Sequence, residues 1–132
     1  MRNQTGFTLL ELIIAVAIVG ILAAVATPMY SGMVEKSRRS DAITTLLNMS
    51  MELEKWRAVN TTYTNNLTNI GYTSTSPEGY YTLAISNATA NTYTITATAT
   101  GAQASDSSCS TIVISQNGPD VGTAQKRDCW NK

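Results

Sequence analysis

Gly6-Phe7-Thr8-Leu9-Leu10-Glu11 leads directly into Leu12-Ile13-Ile14-Ala15-Val16-Ala17-Ile18-Val19-Gly20-Ile21-Leu22-Ala23-Ala24-Val25-Ala26-Thr27-Pro28-Met29, and no charge follows Glu11 until Glu35. A run of this length can span a bilayer as a helix, which takes about 20 apolar residues. A secretory signal is the other reading, but its apolar region covers only about 7–15 residues and ends at a small-residue cleavage site. This run is longer. Glu11 stands out within it, since a carboxylate facing lipid costs on the order of a few kcal/mol and calls for a partner. The first helical turn offers one, because its unpaired amides and the macrodipole favour negative charge. A cut after Gly6 offers another. Phe7 would then carry an α-amino group one turn from Glu11, and between neighbouring chains the two could pair in a low-dielectric bundle and set axial register.

The remaining residues suffice for one water-exposed domain of roughly 100 residues. Formal charge is zero, and losing a leader that carries Arg2 leaves eight basic side chains against nine acidic, which is no profile for a general polyanion binder. Histidine is absent. That removes the usual neutral-pH proton shuttle, the commonest metal ligand and the base of most nucleophilic triads, so we expect no enzyme, no cofactor and no metal. Cys109 and Cys129 are too far apart for a CxxC pair. In a membrane-tethered polar domain they read as one disulfide in a periplasm or at a cell surface; two unrelated buried thiols in a cytosolic domain are the alternative.

Gly6-Phe7-Thr8-Leu9-Leu10-Glu11-Leu12 before a long apolar run resembles the class III leader of type IV pilins and pseudopilins. The resemblance implies that a membrane-embedded prepilin peptidase cuts after Gly6 and N-methylates Phe7, and that Glu11 serves methylation and subunit docking. A plain signal-anchor with an accidental glutamate is the competing reading. The positive-inside rule, applied to Lys36, Arg38 and Arg39 against Arg2, would put the head in the cytoplasm. The leader and the cysteine pair override it.

Beyond Pro28, Ala42, Leu46, Met49, Leu53 and Trp56 recur at steps of four and three, an apolar stripe on a helix lying against something. Arg38, Arg39, Asp41, Glu54, Lys55 and Arg57 read as its watered face. Span and stripe join into one helix from about Phe7 to Val59. Gly20 and Pro28 are its weak points, through low helix propensity and a missing main-chain donor, with a kink as the simplest consequence. In several filaments of the family this stretch loses helical hydrogen bonds on assembly, which would make the fibre extensible.

From Asn60 to Gly79 a Thr/Asn/Ser-rich stretch without period reads as a long surface connection, at the position of the αβ-loop of pilins. Tyr81–Ile85 and Thr92–Ala99 alternate with period two, and a third strand is expected over Cys109–Ser115. The fold class is α+β: a long N-terminal helix, membrane-spanning in its first half, on a small antiparallel sheet, as in the pilin fold. The tail from Gln116 carries loop signals in Asn117-Gly118-Pro119 and Val121-Gly122. The order Tyr-Thr-Ile-Thr-Ala, a cysteine entering a strand, then a final Cys-Trp is similar to PilE-type pilins of Gram-negative bacteria. The expected organisation is a cleaved leader peptide at 1–6, a transmembrane and filament-core helix at 7–34, its amphipathic half at 35–59, and at 60–132 a head with a disulfide-bounded C-terminal loop.

Three function classes follow. The leading one is a structural subunit, major or minor, of a type IV pilus for adhesion, twitching motility or DNA uptake. Its partners are copies of itself or other pilins, the prepilin peptidase and the inner-membrane assembly machinery. Its location is the inner membrane with the head periplasmic, then the extracellular pilus. A type II secretion pseudopilin shares the leader, but major pseudopilins usually carry a C-terminal calcium site and lack this disulfide. The third class is a binding module, in which Lys126, Arg127, Trp130 and Lys132 form a cationic, aromatic patch for nucleic acid or a surface ligand, although Asp120 and Asp128 lie beside it.

Overall fold

The computed structural model describes residues 6–131. Residues 1–5 of the expected leader, Arg2 among them, and Lys132 of the cationic patch lie outside the described residues. The chain divides into two units after Val34. Helix α1 runs Leu9–Val59 and contributes to both. In the first unit every large apolar side chain of the helix, from Leu9 to Met33, is more than half exposed. α1 is long and apolar enough over this part to cross a membrane.

The second unit has a hydrophobic core. Strands β1 (Tyr81–Ser86), β2 (Thr94–Ala99), β3 (Thr111–Ser115) and β4 (Gly118–Pro119) form an antiparallel sheet in the order β1-β2-β3-β4. Register brings Leu83, Ala97 and Ile112 into one inward row and Ile85, Ile95 and Ile114 into the next. All six are buried, in one cluster with Ala42, Leu46, Met49 and Leu53 of α1. Each fully buried side chain of leucine size contributes about 1.5–3 kcal/mol relative to exposure. Trp56 ends the stripe, half-buried against the same core. The outward rows are Thr82, Thr98, Thr111; Ala84, Thr96, Val113; and Ser86, Thr94, Ser115, a face without charge.

The head departs from the sequence reading in several places; the second strand starts at Thr94 rather than Thr92, and the tail adds the short strand β4. The strand expected from Cys109 starts at Thr111, because Gly101–Ser105 and Ser107–Cys109 wind into 3-10 turns. The tail expected as loop also contains α2 (Ala124–Trp130), capped by Thr123, whose hydroxyl accepts from the Lys126 amide at 3.2 Å. The 60–79 connection holds a 3-10 turn at Leu67–Ile70, capped by Asn66 and closed by Gly71 at φ 78°, a left-handed value that favours glycine.

Of the cations read as a watered face, Lys55 stays exposed, whereas Arg38, Arg39 and Arg57 turn to partners in the head. Arg39 donates from Nε to Asp106 Oδ2 at 2.6 Å and from a terminal nitrogen to Oδ1 at 2.8 Å, with Asp106 only 3% exposed. Arg38 lies over the Tyr80 ring at 4.6 Å. Arg57 donates to the carbonyls of Ala90 and Asn60. The hydrogen bond from Arg39 to Asp106 raises the guanidinium pKa above its usual value. Burial pushes the phenols of Tyr81 and Tyr93 up, partly offset by their hydrogen bonds to Gln103 and Ser50 respectively.

Cys109 and Cys129 are joined in a disulfide with their Cα atoms 5.6 Å apart, tying α2 to the turn before β3. Closing a loop of sequence separation 20 contributes about 3 kcal/mol in the chain-entropy account. Replacing both cysteines by alanine should lower head stability by about that amount in urea unfolding followed by tryptophan fluorescence. An unchanged midpoint would refute the staple role.

Unfolding should also be easier at alkaline pH. Tyr81 and Tyr93 are raised in the fold, so the unfolded chain releases protons first as pH climbs past about 10, and stability falls from there. Below that the tyrosine contribution is fully present, and with no histidine in the chain no imidazole step is expected between pH 5 and 8. Thermal melts across pH 5 to 11 check both statements.

Candidate functional site

The N-terminal end of α1 is capped by Thr8. Thr8 Oγ1 accepts from the Glu11 amide at 3.2 Å, and the Thr8 carbonyl accepts from the Leu12 amide at 3.2 Å. Thr8-Leu9-Leu10-Glu11 is the T-x-x-E signature of a helix start, a signal present in the sequence that the leader reading passed over. Gly6 and Phe7 stand just ahead of the helix, and Phe7 is 88% exposed. Glu11 is exposed in the first turn, where the macrodipole favours its charge. Its carboxylate makes no hydrogen bond or ion pair among the described residues.

Gly20 and Pro28 both lie inside α1. A Cβ at Gly20 would meet nothing within 4 Å, so packing within this chain does not require glycine there. Just before Pro28, the Thr27 hydroxyl donates to the Ala23 carbonyl at 2.8 Å. Proline itself cannot donate to the carbonyl one turn back.

The C-terminal patch is only partly assembled. Lys126 Nζ donates to Asp120 Oδ2 at 2.5 Å, and this ion pair lowers the Asp120 pKa. Arg127 is exposed, whereas Trp130 is half-buried against the core. Trp130 also lines a slot of about 80 Å³ between α2 and β3. A more open groove of about 550 Å³ follows the 65–74 connection, with Leu67 and Tyr72 among its lining residues and no charged side chain. Its loop is held by Asn65, whose side-chain oxygen accepts from the Ala88 amide, and by Tyr63, whose amide donates to the Thr89 carbonyl. Among the described residues no group of three or more His, Cys, Asp or Glu side chains could hold a metal ion.

Known proteins share both parts of this architecture. Residues 1–27 match the family described as the prokaryotic N-terminal methylation motif, and residues 28–113 match the family described as type IV minor pilin ComP, DNA uptake sequence receptor. The type IV wide pilus major component PilA4 of Thermus thermophilus is 39% identical over 98 residues, 70% of this chain and 72% of that protein. The type II secretion system core protein G of Vibrio cholerae is 40% identical over 63 residues, 48% of this chain and 43% of that protein. The type IV major alpha-pilin of Moraxella bovis is 55% identical over 38 residues, 29% of this chain and 24% of that protein. With a methylation motif at its start, a disulfide-stapled α+β head behind it and matches that together run from residue 1 to residue 113, the chain belongs to the type IV pilin family.

Proposed function

We propose that this protein is a structural subunit of a type IV pilus, made as a precursor, cut after Gly6 and polymerised through its N-terminal helix. The observation that carries this reading is the unburied apolar surface of α1 from Leu9 to Met33, opened by a single carboxylate. Apolar surface of that extent needs lipid or other helices around it. The membrane takes it before assembly and neighbouring subunits take it afterwards. In this reading Phe7 is the methylated terminus, Glu11 pairs with the amino group of a neighbouring subunit, and Gly20 and Pro28 let the helix deform in the fibre. The domain organisation is then leader 1–6, core helix 7–34, amphipathic half 35–59 and head 60–132. The prepilin peptidase and the inner-membrane assembly machinery are its processing and assembly partners, the head is periplasmic before assembly, and the polymer is extracellular. Likeness to the Thermus pilin extends over more of the chain than likeness to the secretion protein, which favours a pilus over a pseudopilus.

Glu11→Gln tests the reading. Glutamine keeps size, helix propensity and the Thr8 cap on the backbone amide but removes the charge, so the head should fold as in wild type. An amino group left buried without its counter-charge costs about 3–5 kcal/mol at each contact. Mass spectrometry should show the variant cut before Phe7, and electron microscopy should show surface fibres strongly depleted. Normal fibres from the cut variant would remove the docking role, and an intact Met1 terminus in the wild type would remove the leader reading. A methylation readout on the same spectra separates lost docking from lost modification.

A second reading, DNA capture by the head, is favoured by the match to a family described as a DNA uptake sequence receptor. The matched residues end at 113, before Lys126, Arg127 and Trp130. Fluorescence anisotropy with labelled duplex DNA decides it. Binding that weakens steeply with salt and is reduced in Arg127→Ala would carry this reading, whereas no binding at micromolar protein in low salt would remove it.

A further inference from the structure

Helix α1 is held in the head by two different kinds of contact. From Ala42 onward it is held by buried apolar side chains. From Glu35 to Asp41 it presents none, and its attachments there are polar. Glu35 and Arg39, one helical turn apart, both grip the segment 103–106. The Gln103 amide nitrogen lies 3.2 Å from the Glu35 carbonyl, 3.1 Å from the Tyr81 hydroxyl and 3.1 Å from Asp106 Oδ2. Ser105 donates to Glu35 Oε1 at 2.9 Å. Arg39 takes Asp106 in the two-point grip described above, with Gln103 fully buried beside it. Three residues further along, Cys109 bonds this segment covalently to α2. The helix is therefore fastened to a part of the head that cannot easily yield.

We propose that the Glu35/Arg39 clamp is a stop for helix unwinding, which prevents disorder that starts around Pro28 from entering the head. Pro28 already leaves one helical hydrogen bond unmade, and a helix opened at one point loses neighbouring turns cheaply until something outside its own backbone resists. The first such resistance inside the head is the clamp. Opening the turn at Arg39 would strand the Asp106 carboxylate in a buried site and deprive the Gln103 amide of the Glu35 carbonyl. This role needs only the folded chain, so it stands or falls independently of the filament reading.

Hydrogen exchange read by mass spectrometry, on the full chain in detergent micelles, separates a stop from an ordinary stabilising contact. In Arg39→Gln and in Asp106→Asn, amides 35–41 should exchange ~10–100-fold faster than in wild type, while amides 45–56 and those of β2 keep their protection. Unchanged exchange at 35–41 would overturn the proposal. Equal acceleration throughout the head would overturn it too, since the pair would then only stabilise the fold as a whole. If Arg39→Gln does not fold, Arg39→Lys keeps the charge and loses the fork. Its smaller acceleration must again be confined to 35–41, and spread across the head it would count against the stop.

Discussion

Burial of Ala42, Leu46, Met49 and Leu53 with the inward rows of the sheet is the contact on which the head depends. These four helix positions have no exposed surface. Without them the sheet has one apolar face and nothing to cover it, and a four-stranded meander with so short a last strand is no stable domain. The inward rows are complementary in size: small Ala97 sits between Leu83 and Ile112, in the row beside Ile85, Ile95 and Ile114. The outward rows, all hydroxyl or small side chains with one valine, keep the opposite face neutral and wet.

The same helix meets two solvents. Its first half carries large apolar side chains that remain exposed within the chain, and its second half hides the same kind of residue. Water tolerates the second arrangement and penalises the first. Membership of the type IV pilin family gives this division a sense, since the exposed half is where lipid or neighbouring helices are needed. Thr8 and Glu11 mark where that half starts: the Thr8 hydroxyl caps the Glu11 amide, and the acid sits in the first turn, where the macrodipole favours its charge.

Polar contacts complete the head where apolar ones run out. Tyr93 shows how this is done at the core's edge: its ring packs edge-on against Tyr63 at 4.8 Å while its hydroxyl shares a 2.7 Å hydrogen bond with Ser50. Tyr63 in turn donates to both carboxylate oxygens of Glu54 at 3.0 Å, which reinforces the effect of burial on its raised pKa. The long connection after Val59 is thereby tied to both helix and sheet, despite a composition that reads as loose.

Much of this molecule was legible in the chain because its main signals are periodic and local. An apolar run of bilayer length, a stripe at steps of four and three and two alternating strands each record which side of an element meets water, and burial followed that pattern at Ala42, Leu46, Met49 and Leu53. The leader motif is a contiguous string, and the matching methylation-motif family covers it. What only the tertiary structure decided are partnerships across long sequence separations. Nothing near Arg39 announces Asp106, 67 residues away, and an arginine on a helix exterior reads as solvated until a distant carboxylate folds onto it. Lys126 read as part of a cationic patch, yet its charge is spent on Asp120 once α2 turns it back. The 3-10 turns before β3 and the short helix α2 were invisible for a related reason: segments this short have too little periodicity to register, and they are held in place by the Cys109–Cys129 bond and their neighbours rather than by their own sequence.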